Sequence, residues 1–123
     1  MHDCRTVQPD AAMLDAVIRG WSANAGVVLV FGATGVSPSA MADAVVRRIC
    51  DREAPGLEAA LLRAALVEKS PAVSALGALS GAAAGVSGTA VLVSLPDELR
   101  VAEPMLRTLA GVLPQALALL LPS

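Results

Sequence analysis

The chain has 123 residues, enough for one domain with a real core and too few for two. Hydrophobic residues make up 55 % and charged residues 16 %, and the net charge of −2 comes from interleaved acids and bases. No basic patch exists, and Trp21 and Phe31 are the only aromatics, which excludes nucleic-acid binding through a charged surface or a stacking platform.

In chain order, residues 1–10 read as extended and end at Pro9-Asp10, where Asp10 can cap a following helix. In that helix Leu14, Val17, Ile18 and Trp21 recur at helical spacing and predict one buried stripe, fading around Ala23–Gly26. Val27–Phe31 is an uninterrupted apolar run. It reads as a strand covered on both faces, as in a parallel sheet. It stops at Gly32-Ala33-Thr34-Gly35-Val36-Ser37-Pro38, after which Met41, Val45 and Ile49 share one helical face. Ala54-Pro55-Gly56 breaks the chain, and Leu57–Lys69 is a helix with Leu57, Leu61 and Ala65 in register, closed by Ser70-Pro71.

A helical turn and a strand near Ala82–Val86 follow. Ser87-Gly88 is a two-residue hairpin signal leading into the strand Thr89–Leu95. The remainder is helical, with Pro104 expected to start or kink the helix and Pro114 to set off a last apolar turn. The pattern predicts a single layered α/β domain over residues 1–123 with two or three strands and an open sheet edge that needs cover.

The residue inventory limits the chemistry. Cys4 and Cys50 are far apart and His2 is the only histidine, so neither a His/Cys metal site nor a disulfide framework is expected. The polar opening MHDCRTVQPD does not read as a signal peptide, and no apolar run reaches the ~18–20 residues of a membrane span. A cytoplasmic setting is therefore the default. Small apolar side chains on so small a body favour oligomers. Trp21 and Cys50 read as core residues, and Arg47-Arg48 as a solvated helix face.

The strand, glycine loop and helix over residues 27–49 are the most informative stretch. Backbone N–H groups at the carboxyl end of a parallel strand, beside a helix N-terminus, suit an anionic ligand. Gly32-Ala33-Thr34-Gly35 matches neither the P-loop nor the dinucleotide fingerprint, and a plain tight turn is the competing reading.

Several segments together resemble the molybdopterin-binding family that includes the molybdopterin adenylyltransferases (MoaB/Mog-like). VVLVFGATGVSP is similar to the family's strand and TTGGTG loop, RTVQPDAAMLDAVIRGWSA to its pre-loop strand and helix, and DREAPGLEAALLRAAL to its Arg-Glu-x-Pro-Gly segment. LSGAAAGVSGTAVLVSLP resembles LSRAVAGxxGxTLIVNLPG, and VLPQALALL its closing helix. The likeness runs in order from Arg5 to the C-terminus.

It implies a parallel or mixed sheet flanked by helices, assembly as a homo-oligomer (trimer or larger), and binding of molybdopterin. In catalytic members it further implies AMP transfer from ATP with Mg²⁺. On the matching positions, Asp10 takes the place of a catalytic aspartate. Gly32, Ala33, Thr34, Gly35, Ser37, Ser80 and Pro96 take those of substrate-binding residues.

The departures concentrate in the same region. Ala40 stands where a second carboxylate belongs, with Asp43 about one helical turn on. Ala33 replaces a glycine, Gly81 an arginine, and Asp97-Glu98 follow Pro96 where the family has glycine. Family members also open with a strand–helix unit of roughly 35–40 residues before the part matching Arg5, so a neighbouring subunit, a partner chain or an upstream segment is expected to cover the sheet. The reading is a molybdenum-cofactor-type protein that binds molybdopterin or a nucleotide with catalysis reduced or lost. An active adenylyltransferase and a non-catalytic interaction subunit are the alternatives.

Overall fold

The computed structural model describes residues 10–31, 42–66, 82–96 and 99–120. Asp10 lies in an extended conformation, and its Oδ1 accepts the backbone N–H groups of Ala12 at 2.8 Å and Met13 at 3.4 Å. That satisfies two donors that a helix start leaves orphaned, and α1 (Ala11–Ser22) follows. Ile18 is buried, with Ala11, Leu14, Trp21 and Ala25 packed partly buried around it. Val17 departs from the expected stripe. It lines a shallow surface hollow with Met13, Ala16, Gly20 and Trp21.

Among the described residues the sheet has four strands, in the order β1 (Val27–Phe31), β4 (Ala90–Leu95), β3 (Ala83–Ser87), β2 (Arg52–Glu53). β1 and β4 run parallel, from Val27 opposite Val91 to Phe31 opposite Leu95. The β4–β3 and β3–β2 pairs are antiparallel. The sheet is mixed, and it has one strand more than the sequence predicted. β2 is two exposed charged residues, too short to carry any alternation, and it lies just before the break expected at Ala54-Pro55-Gly56. Pro55 is instead the first residue of α3 (Pro55–Leu66), a position where its missing N–H costs nothing.

The β3–β4 hairpin is shifted by one residue from expectation. Ser87 pairs with Ala90, so Gly88-Thr89 form the turn, and Gly88 has φ +62°, a left-handed conformation that glycine adopts without penalty.

The helices divide between the two faces. α1 and α2 (Ala42–Ile49) pack with Val28, Val30, Ala83, Ala90 and Leu92. α3 and α4 (Leu99–Leu120) pack with Ala84, Val91, Val93 and Leu95 on the other face. Residues of β4 alternate between these two cores and every one is buried, which is why its sequence shows no polar period. β1 ends the sheet. Its Val28 and Val30 are buried, but Phe31 is 52 % exposed, so it is not covered as fully as its sequence suggests.

Pro104 and Pro114 both lie inside α4, which neither starts at the first nor ends at the second. Each proline removes one helical hydrogen bond. Burial of Val101, Ala102, Met105 and Leu109 against the sheet holds the helix through Pro104. Across α2 and β3, Cys50 packs half-buried against the first core, and burial pushes its thiol pKa up. The extended stretch before Asp10, the face position of Met41, and the segment from Lys69 through Pro71 with the helical turn after it lie outside the described residues.

Candidate functional site

Three elements meet at the carboxyl ends of β1 and β4. The parallel register sets Phe31 beside Leu95, so the connections leaving both strands depart from one edge of the sheet. The chain then enters α2 on one face and α4 on the other. Two adjacent parallel strands whose connections leave to opposite faces define a switch point, the position outside which open α/β sheets bind their ligands.

α1 contributes a third wall. Its C-terminal end lies by the hairpin at the opposite edge, where Arg19, Ser22 and Ala23 border a hollow with Ser87, Gly88 and Thr89. A helix of this length spans about 18 Å, comparable to the strands beneath it. Asp10, at its other end, therefore lies toward the carboxyl edge.

α2 runs the same way. Asp43 in its first turn accepts a 2.7 Å hydrogen bond from Ser94 Oγ near the end of β4. Just beyond its last turn, the backbone N–H of Asp51 donates to the carbonyl of Val86. The two helices are tied along their length by Arg48 Nη2 and Asp15 Oδ2 at 3.1 Å, with Arg19 on the same carboxylate. Asp15 and Arg48 stand equally far along the chain from Asp10 and Asp43, which places those two acids at matching heights on neighbouring helices.

Ser94 is the only buried polar side chain among the described residues. Its hydroxyl donates to Asp43 and accepts the backbone N–H of Ala83 at 3.1 Å, so both of its roles are filled. Sequence reasoning noted Asp43 only as a stand-in for position 40 and missed Ser94. A lone serine within TAVLVSL was the available signal, since a hydroxyl inside a buried run needs a partner.

Of the catalytic and substrate-binding residues expected from the sequence, two are described. Asp10 is exposed and caps α1, and Pro96 is buried directly after β4. Gly32, Ala33, Thr34, Gly35, Ser37, Ala40, Ser80, Gly81, Asp97 and Glu98 lie outside the described residues. Trp21 packs partly buried against the core, as expected. Arg47 and Arg48 are exposed and paired, with Glu58 and Asp15 respectively.

For a metal, Asp10 and Asp43 are the carboxylates at this edge among the described residues, and each already accepts hydrogen bonds. Among the described residues no group of three or more metal-ligating side chains forms. No helix among the described residues is long and apolar enough to cross a membrane.

The fold is an α/β domain with a switch point between β1 and β4. The family model described as "Probable molybdopterin binding domain" matches residues 1–115. The molybdopterin biosynthesis enzyme MoaB from Thermus thermophilus is 33 % identical, with a TM-score of 0.77 over 91 % of this chain and 69 % of that one. The molybdopterin biosynthesis Mog protein of Mycobacterium ulcerans is 27 % identical, with a TM-score of 0.77 over 88 % of this chain and 68 % of that one. A MogA structure is 28 % identical at a TM-score of 0.76, over 88 % of this chain and 68 % of that one. The chain belongs to the molybdopterin-binding domain family of MoaB and Mog, and its fold is theirs.

Proposed function

We propose that the chain acts as a single MoaB/Mog-like domain that binds molybdopterin or a nucleotide at the switch point of β1 and β4, with AMP transfer reduced or lost. The observation that carries the binding half is the adjacency of the parallel strand ends at Phe31 and Leu95, with α2 and α4 departing to opposite faces. The reduced catalysis rests on Ala40, which replaces a carboxylate, and on Asp10, whose Oδ1 is engaged in capping α1. One carboxylate supports a nucleotide-borne Mg²⁺ less well than two.

Calorimetry with molybdopterin and with ATP·Mg²⁺, beside an AMP-transfer assay, tests this. Binding of at least one ligand with little or no transfer is the expected result. Rapid turnover overturns the lost-catalysis half, and silence toward both ligands at millimolar concentration overturns the binding half. Ala40→Asp is expected to raise transfer where the pocket is otherwise intact.

A second reading, an interaction subunit in an oligomer, is favoured by exposed apolar surface. Among the described residues β1 is a terminal strand, and Met13, Phe31, Val112 and Leu119 are exposed apolar side chains, Leu119 at 86 %. Light scattering across a concentration series tests it, and a monomer throughout would remove it.

A further inference from the structure

We propose that residues 4–8, which precede the described part of the chain, dock as a fifth strand along the free edge of β1, parallel to it and beneath one flank of α1. The occupant of that edge is the chain's own segment, not a second copy and not a separate protein.

Among the described residues β1 is paired on one side only, with β4. The Val91 N–H donates to the Gly26 carbonyl at 2.8 Å. Along a strand in a parallel ladder, the backbone groups of successive residues turn to opposite sides. Val28 and Val30 therefore turn theirs toward β4. Val27, Leu29 and Phe31 turn theirs outward, as a row of donors and acceptors that a further strand would satisfy.

α1 overhangs this row. It packs on β1 and β4, whereas α2 packs on β4 and β3. The flank of α1 toward α2 is charged, with Asp15 bound by Arg19 and by Arg48 of α2. Met13 and Val17 lie on the opposite flank, about 140° and 100° around the helix from the buried Ile18. Met13 is exposed, and both residues line a shallow hollow with Trp21. An apolar flank projecting past β1 is what a sheet continuing beneath it would cover.

Topology selects the occupant. β1 is parallel to β4, and two antiparallel pairings separate β4 from β2, so β1 and β2 are parallel. The chain passes between them through α2, on the face that α1 shares. Crossovers between parallel strands of one sheet are right-handed. On this face a right-handed crossover thus advances from β1 toward β2. α1 delivers the chain into β1 from the same face, so a parallel strand before α1 lies one step back, on the side of β1 away from β4. Asp10 caps α1 toward the carboxyl edge, and a strand ending there runs parallel to β1.

The chain supplies that strand. Residues 1–9 precede Asp10 and reach about 30 Å when extended, against about 17 Å for five residues of strand. Thr6 and Val7 are strand formers, and Pro9, without an N–H, stops the ladder just before the cap.

Amide hydrogen exchange followed by NMR tests this, on the parent and on a chain lacking residues 2–8, which keeps Pro9 and the Asp10 cap. In the parent, Leu29 and Phe31 are expected to be protected alongside Val28 and Val30. In the shortened chain, exchange at Leu29 and Phe31 is expected to rise on the order of hundredfold, while Val28 and Val30 keep most of their protection. Fast exchange at Leu29 and Phe31 in the parent overturns the proposal, because the edge is then open. Protection that survives the shortening overturns it too. Protection in the parent that fades on dilution assigns the edge to a second copy and overturns it as well. If the shortened chain does not fold, the parent decides alone. Nuclear Overhauser contacts between residues 4–8 and Val27–Phe31 that persist on dilution support the proposal, and their absence overturns it.

Discussion

A side chain at Gly85 would collide with Cys50: an added Cβ would sit 2.6 Å from Sγ, 2.9 Å from Cβ and 2.8 Å from the backbone oxygen of Arg52. Here β3 passes under the end of α2 and beside β2, and no atom fits between them. Gly85→Ala is expected to destabilise by about 1–3 kcal/mol, the usual range for overpacking a tight core. Urea unfolding of the single variant and of Cys50→Ala/Gly85→Ala checks this. The double variant should recover only part of the loss, because the Arg52 carbonyl remains in place.

Gly88 turns the β3–β4 hairpin at φ +62° with open space around its Cα. Strain, not collision, then decides the outcome. Gly88→Ala is expected to cost about 1–2 kcal/mol and Gly88→Asn distinctly less, since asparagine tolerates the left-handed region. Thermal denaturation should rank them in that order, and equal midpoints would contradict it.

Removing the Ser94 hydroxyl leaves the buried Ala83 N–H without its acceptor. Ser94→Ala is expected to lose about 1–3 kcal/mol of stability. Asp43→Ala should lose less, because it leaves Ser94 able to accept from Ala83. Chemical denaturation of the two variants compares them directly.

Arg19 hydrogen-bonds Asp15 and, against a smaller opposing effect of desolvation, holds its carboxyl below the ordinary range, with Arg48 adding to the shift. The Gly88 N–H lowers Asp51 in the same direction. A depressed folded-state pKa means the stabilisation is complete above the unfolded carboxylate range and is lost as pH falls through the folded value. Asp15→Asn should flatten the acid limb of the stability curve and barely change its height relative to Arg19→Gln. Melting curves from neutral pH into acid, at low salt, measure this.

Asp10→Ala removes the cap of α1 and is expected to cost about 1 kcal/mol. Circular dichroism on heating follows it. Asp10→Asn, which can still accept the Ala12 N–H, should restore most of that loss while leaving the carboxylate's charge absent for ligand assays.

Much of this architecture was readable from the chain. Val27–Phe31 and the Ala90–Leu95 run are apolar without alternation because both lie inside a layered sheet, and Asp10 before a helical stripe announced its cap. β2 was not readable, since Arg52 and Glu53 are exposed and owe their strand geometry to pairing with Val86 and Gly85. The continuity of α4 was also hidden: the local rule for Pro104 is outweighed by burial of the residues around it, and beside Pro114 Leu113 and Leu117 pack partly buried against the same core. At the candidate site, Asp10 was legible as a cap. The bond between Ser94 and Asp43 was not, because it joins positions far apart in sequence that only the parallel β1–β4 register and α2 bring together.

The terminal position of β1 among the described residues has a consequence for folding. Val27–Phe31 contains no charge, proline or glycine to discourage a wrong neighbour. Paired on one side only among the described residues, it is a template on which another extended segment can add one hydrogen bond at a time. Yield on refolding is thus set by a race between correct cover of this strand and capture by strangers, a race that dilution and low temperature decide in favour of the native chain.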